Sequence, residues 1–317
     1  MMTGTIHEFG ACLLACAVLA GPAFGAPPSV VADTPVTHSL VAMVMEGVGE
    51  PVLLLDKGGD PHDFQLRPSQ AGALADADMV VWIGPEMTPW LEGSLPSAGS
   101  TQATLRLLEV EGTRLRHADG DGHSHDASQD DAGAKHDGGA DPAQGGILDP
   151  HAWLDPRNAE LWLGAIAAEL ARIDPDDAKT YSANAESARR RIQALDADLE
   201  RRLAPAKSAP IGVYHDAYGY LAERYGLTIA GSIAQGDAHD PGAAHLARLQ
   251  DHLKGATCLF PEVGHDDRAA ETLAADAGVR VGPALNPEGI GMDPGPDLYP
   301  ALMAALADGI LACIEGG

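Results

Sequence analysis

Residues 68–83, PSQAGALADADMVVWI, join a short helical segment to an apolar strand, and that pairing decides the fold class. Pro68 has its φ preset for a first helical turn, so Pro68 to Ala75 reads as a helix, and Asp76 to Asp78 closes it. Met79-Val80-Val81-Trp82-Ile83 then forms a continuous apolar run, the pattern of a strand buried on both faces of a parallel sheet covered by helices. Two similar runs lie upstream, Val30-Val31-Ala32 and Val52 to Leu55, with a helix expected from Ser39 to Val48 between them.

Downstream, the alternation is interrupted and then resumes. Asn158 to Arg172 reads as a helix. A longer one is expected from Asp176 to Leu203, with Asp174 as N-cap and Pro175 at the first helical position. Its apolar face is Tyr181, Ala185, Ala188, Ile192, Leu195 and Leu199, at alternating steps of four and three. At 1.5 Å per residue it spans roughly 42 Å, enough to run from one lobe to another; a coiled-coil dimer competes, but fewer than four heptads with small alanines suit it less well. Further strands are expected at 211–214, 227–230, 257–260 and 279–281, and helices at 217–225, 241–254 and 266–277. The expected architecture is α/β: two lobes, each a mostly parallel sheet flanked by helices, joined by one long backbone helix. The boundaries are 26–172, 173–204 and 205–317.

Residues 1–25 read as a cleaved signal peptide, with an apolar stretch from Ala11 to Ala20 and the small-residue site Ala23-Phe24-Gly25, although residues 1–10 hold no Lys or Arg. No later stretch reaches the apolar length of a membrane span. Export leaves Cys258 and Cys313 as the only cysteines of the mature chain, either one disulfide or two buried thiols. Lys and Arg number 20 against 46 Asp and Glu, a formal net charge of −26, which excludes nucleic acid and anionic membranes as partners. The run at 117–142 holds four His, seven Asp and five Gly but no Val, Ile, Leu or Phe. It cannot bury enough apolar surface to offset chain entropy and reads as a flexible loop, either a weak metal binder or a solvated insertion.

Three histidines occupy distinct contexts: His62 in DPHDFQLRP, His151 in DPHAWLDP and His215 in VYHDAYGYL. Neutral imidazole is the commonest zinc ligand, and three nitrogens with one oxygen fill a tetrahedral shell. Their spacing is not local, so only the fold can gather them, and His62 and His215 each fall just past a strand, where α/β folds place ligands. His38 is a candidate for a supporting role. His239, His245, His252 and His265 have no partner motif and read as surface or cap residues.

The run from Leu53 through PHDFQLRPSQAGALADADMVVWIGPEMTPWL, then HAWLDP and VYHDAYGYLAERYGL, resembles the solute-binding proteins of bacterial zinc ABC importers, the ZnuA family, over nearly the whole mature chain. The resemblance implies a periplasmic monomer that binds Zn2+ at His62, His151 and His215 in the interlobe cleft and delivers it to an inner-membrane ABC permease. It also implies a C-terminal Cys258–Cys313 bridge. Some members place a zinc-binding Glu before the first histidine; here Pro61 stands there, and Asp293 in GMDP resembles the Asp-Pro that supplies a carboxylate in others. Asp293 is therefore the expected fourth ligand, with Asp297 and Glu288 as alternatives and a water as the other possibility. Three imidazoles suit zinc better than manganese. A zinc enzyme with a three-histidine, water-bearing site is the rival function, though no HExxH or GxSxG motif is present. A metal-dependent adhesin of the same fold is a third.

Overall fold

The computed structural model describes residues 26–56, 59, 61–62, 64–95, 101–117, 148–234 and 242–316. The proposed leader, nearly all of the histidine-rich run and His239 lie outside the described residues. Two four-stranded, wholly parallel sheets carry the molecule. The first comprises β1 (Val30–Ala32), β2 (Val52–Leu53), β3 (Met79–Trp82) and β4 (Ala103–Arg106) in the order β2-β1-β3-β4. The second comprises β5 (Ile211–His215), β6 (Ile229–Ala234), β7 (Cys258–Leu259) and β8 (Arg280–Val281) in the order β6-β5-β7-β8. Each half thus starts on an inner strand, adds one neighbour on one side and two on the other, which leaves a crevice at the carboxyl ends where the order reverses.

The continuous apolar runs behave as expected: β1 and β3 are buried throughout. β2 is shorter than Val52 to Leu55 and is an edge strand, so Val52 is 40% exposed rather than covered on both faces. β4, ATLR, was not anticipated; it is a half-covered edge strand with one buried residue and little apolar signal.

Around the sheets run α1 (Pro35–Met45), α2 (Pro68–Ala75), α3 (Pro89–Glu92), α4 (Pro156–Ile173), α5 (Ala178–Arg202), α6 (Gly219–Tyr225), α7 (Ala243–Leu253), α8 (Arg268–Ala277) and α9 (Leu298–Glu315). α1 begins four residues before the expected Ser39 because Thr34 caps it, accepting from the Thr37 amide, and Pro35 occupies the first turn. It stops at Met45, and Gly47 then turns the chain at φ 76°. α4 begins at Pro156, capped by Asp155. The long helix also departs from expectation: Pro175–Asp177 form a separate 3-10 turn, because the Asp174 carboxylate accepts the Tyr181 hydroxyl (2.7 Å) instead of capping α5.

α5 is the central strut. Tyr181, Ala185, Ala188, Ile192 and Leu199 are buried as the periodicity requires, and the helix packs on α1, α4 and α9. Asp196 is also buried on it, held by Arg224 (2.7 Å) and the Tyr225 hydroxyl (2.8 Å), which pins α6 to α5. Asn184 donates to the carbonyls of Val44 and Glu46, closing the end of α1. One apolar core consequently runs through both halves, from Val30 and Leu40 across Trp153, Trp162 and Tyr181 to Val213, Phe260 and Tyr299. Smaller cores lie outside each sheet, under α2 and α3 and under α7 and α8.

α9 is long and apolar enough to cross a membrane by length and composition, contrary to the expectation that no such stretch follows the leader. It is a core helix: Leu298, Tyr299, Leu302, Met303, Leu306 and Ile310 are buried, and Cys313 is bonded to Cys258 of β7, as the family resemblance implies.

Candidate metal centre

His215 is the last residue of β5, paired with Ala234, rather than lying just past the strand. His151 sits between Pro150 and the 3-10 turn Ala152–Leu154, and is 1% exposed. His62 lies in the segment after β2, where the Trp90 indole donates to the Pro61 carbonyl (2.7 Å) and packs at a tilt against Phe64 (centroids 5.2 Å apart), fixing the peptide beside it. Two hydrogen bonds anchor the His151 segment: Trp153 donates to the Pro287 carbonyl (2.9 Å) in the chain between β8 and α9, and Tyr299 of α9 donates to the Trp153 carbonyl (2.8 Å).

The three histidines converge. The Nε2 atoms of His151 and His215 are 3.3 Å apart, and the His62 and His151 ring centroids 6.1 Å. His62, His151 and Glu288 each offer a donor atom within 4.8 Å of the others'. Among the described residues Glu288 is thus the carboxylate grouped with His62 and His151, and Asp293 falls in no such group. Glu288 is buried, whereas Asp293 is exposed and Asp297 pairs with Arg191 (2.6 Å). The Asn286 side chain explains the placement: its amide donates to the Ile290 carbonyl and its oxygen accepts the Ile290 amide, closing a turn around Glu288. Gly289, at φ 77°, lets the chain pass against Leu298 and Leu302 of α9.

Carboxylates back two of the rings. Asp149 Oδ1 lies 2.9 Å from His151 Nδ1, and Glu262 Oε1 lies 2.7 Å from His215 Nδ1. With Asp149 at His151 Nδ1 and Glu262 at His215 Nδ1, the Nε2 atoms are the ring nitrogens that face one another in the site. On a tetrahedral zinc ion, two nitrogens bonded at about 2.05 Å stand ~3.3 Å apart, so the geometry suits such an ion.

Other histidines divide. His265 is exposed, as expected, and there stacks on Tyr214 with centroids 4.3 Å apart and reaches Glu262 at 3.7 Å, beside the site. His38 bonds instead to the Pro51 carbonyl (3.1 Å), and burial pushes its pKa down. His245 meets the Ser232 carbonyl (2.9 Å). Asp216, next to His215, has its pKa raised by burial, opposed by Arg116.

The chain is 41% identical to the high-affinity zinc uptake system protein ZnuA of Paracoccus denitrificans, over 92% of this chain and 94% of that one. It is 34% identical to the protein of the same name from Brucella suis, over 95% and 97%. Among solved structures it resembles a zinc-bound ZnuA deletion mutant (22% identity, 90% and 97% coverage, TM-score 0.72). It also resembles FpvC of Pseudomonas aeruginosa in complex with Mn2+ (23%, 92% and 99%, 0.73). At these identities the structural likeness speaks to the fold. The family described as zinc-uptake complex component A, periplasmic, matches residues 30–313, and the chain belongs to this ZnuA family.

Proposed function

We propose that the protein captures Zn2+ in the periplasm and delivers it to an ABC-type import permease, with His62, His151, His215 and Glu288 as its ligands. The ion is cargo, and binding it is the whole chemistry. The observation that carries this reading is the 3.3 Å separation of the His151 and His215 Nε2 atoms, the spacing of two imidazoles on one tetrahedral ion. The buried Glu288 beside His62 and His151 offers an anionic oxygen as fourth ligand in place of the water that a catalytic zinc site keeps, which supports binding over catalysis. Three nitrogens and one carboxylate suit zinc over manganese, which takes mainly oxygen ligands. The names of the relatives agree with this assignment.

The test is metal analysis and chelator competition on protein purified from the periplasm without added metal. One tightly held zinc per chain is expected, lost from His151→Ala and His215→Ala. Wild-type affinity in the His62, His151 and His215 alanine variants alike would refute the assignment.

A further inference from the structure

The carboxylates behind His151 and His215 are not equivalent. Asp149 has its Oδ1 on His151, where it meets both Nδ1 (2.9 Å) and the backbone amide (3.0 Å). Its Oδ2 accepts from Arg116 Nη1 (3.3 Å), so a guanidinium compensates its charge. Arg116 is itself anchored: its Nε donates to Glu223 (3.0 Å), its amide donates to the Tyr220 hydroxyl (2.8 Å), and that hydroxyl donates to the Asp149 carbonyl (3.0 Å). Glu262 is held differently. In the parallel pairing of β5 with β7, Gly212 faces Leu259, and three residues further along each chain stand His215 and Glu262. Glu262 Oε1 meets His215 Nδ1 (2.7 Å), while Oε2 accepts from a neutral donor, the buried Tyr218 hydroxyl (3.0 Å). The half-exposed His265 lies 3.7 Å from Glu262 Oε1, farther than a hydrogen bond.

We propose that Asp149 and Glu262 are positioning residues that fix His151 and His215 as Nδ1–H tautomers, and that the Glu262 arm dominates because its charge is directed at the imidazole uncompensated. The inference rests on the assignment of these histidines as zinc ligands. A carboxylate hydrogen-bonded to a ligating imidazole orients the ring and raises its basicity, and losing such a partner costs 10–100-fold in metal affinity on the order of magnitude. A carboxylate shared with a guanidinium gives less, so His215 is the firmer grip and His151 the weaker.

The experiment measures zinc affinity by chelator competition in the full mature protein and in D149N, E262Q and R116Q, each verified as folded by circular dichroism and by melting in EDTA. E262Q is expected to lose about 10–100-fold and D149N less. R116Q is expected to bind zinc more tightly, because it removes a positive charge near the ion and frees Asp149; a merely structural Arg116 would give weaker binding. Histidine 15N NMR of the metal-free protein above pH 8 supplies a second readout. Nδ1–H rings are expected at His151 and His215, with His215 shifting toward Nε2–H in E262A. Equal losses in D149N and E262Q, wild-type affinity in both, or Nε2–H rings in the wild type would each overturn the proposal. Should H151A and H215A keep wild-type affinity, the ligand assignment fails instead, so the two failures are distinguishable.

Discussion

Replacing both Cys258 and Cys313 with alanine tests what holds the second sheet to the last helix. The bridge joins β7 to the final turn of α9 and spans 55 residues of chain. In the loop-entropy model, opening a loop of that length releases unfolded-chain entropy worth about 4 kcal/mol at 25 °C. Both cysteines are buried, so the alanine variant also forfeits some packing, and 4 kcal/mol is the smaller end of the expected loss. For this chain of 317 residues the unfolding entropy is about 0.7 kcal/mol/K, which converts the loss to a fall in Tm of about 6 °C. Calorimetry of the metal-free oxidised protein against the double variant measures it. A double variant melting with the wild type would refute the entropic reasoning, and two alkylated thiols in native periplasmic protein would remove its premise.

Three more perturbations separate the parts of the site. Glu288→Ala should weaken zinc binding by chelator competition far more than Asp293→Ala, because only Glu288 is grouped with His62 and His151; the reverse order would restore Asp293 as the ligand. Ligating imidazoles are neutral, so protons compete with the ion and affinity should fall as pH drops through about 6, with proton release on binding growing as pH falls into that range in calorimetry run in two buffers. Deletion of 118–142, the histidine-rich run after His117, should remove weak zinc binding and leave the tight site intact, and loss of tight binding would show that the run is not accessory.

The fold was legible wherever burial was complete. β1 and β3 are continuous apolar runs because both faces of an inner parallel strand are covered, and the face of α5 follows from Tyr181 through Leu199. Edges were not legible. β4 has one buried residue in ATLR, and Val52 of β2 faces solvent, so neither carries the hydrophobic signature of a sheet. Helix starts depended on which partner a side chain chose. Pro68 opened α2 as its ring geometry requires, but at Pro175 the same signal opened only a 3-10 turn, because Tyr181 took the Asp174 carboxylate.

The site divides along the same line. His62, His151 and His215 stand in distinctive local motifs, but only the fold brings together the loop of His62, the turn of His151 and the strand end of His215. Carboxylates have no such motif: Asp293-Pro294 resembles a ligand in sequence, yet lies exposed, whereas Glu288 is turned inward by the side chain of Asn286 two residues before it. Asp149 was within reach of a sequence argument, since Asp-Pro-His places a carboxylate two residues from a ligating ring. Glu262 was not, because 47 residues separate it from His215 and only the β5–β7 register brings them side by side. Local sequence therefore names the candidate donors that stand in their own motif. The groups that orient those donors arrive through sheet register and turn closure, so their identification depends on the folded chain.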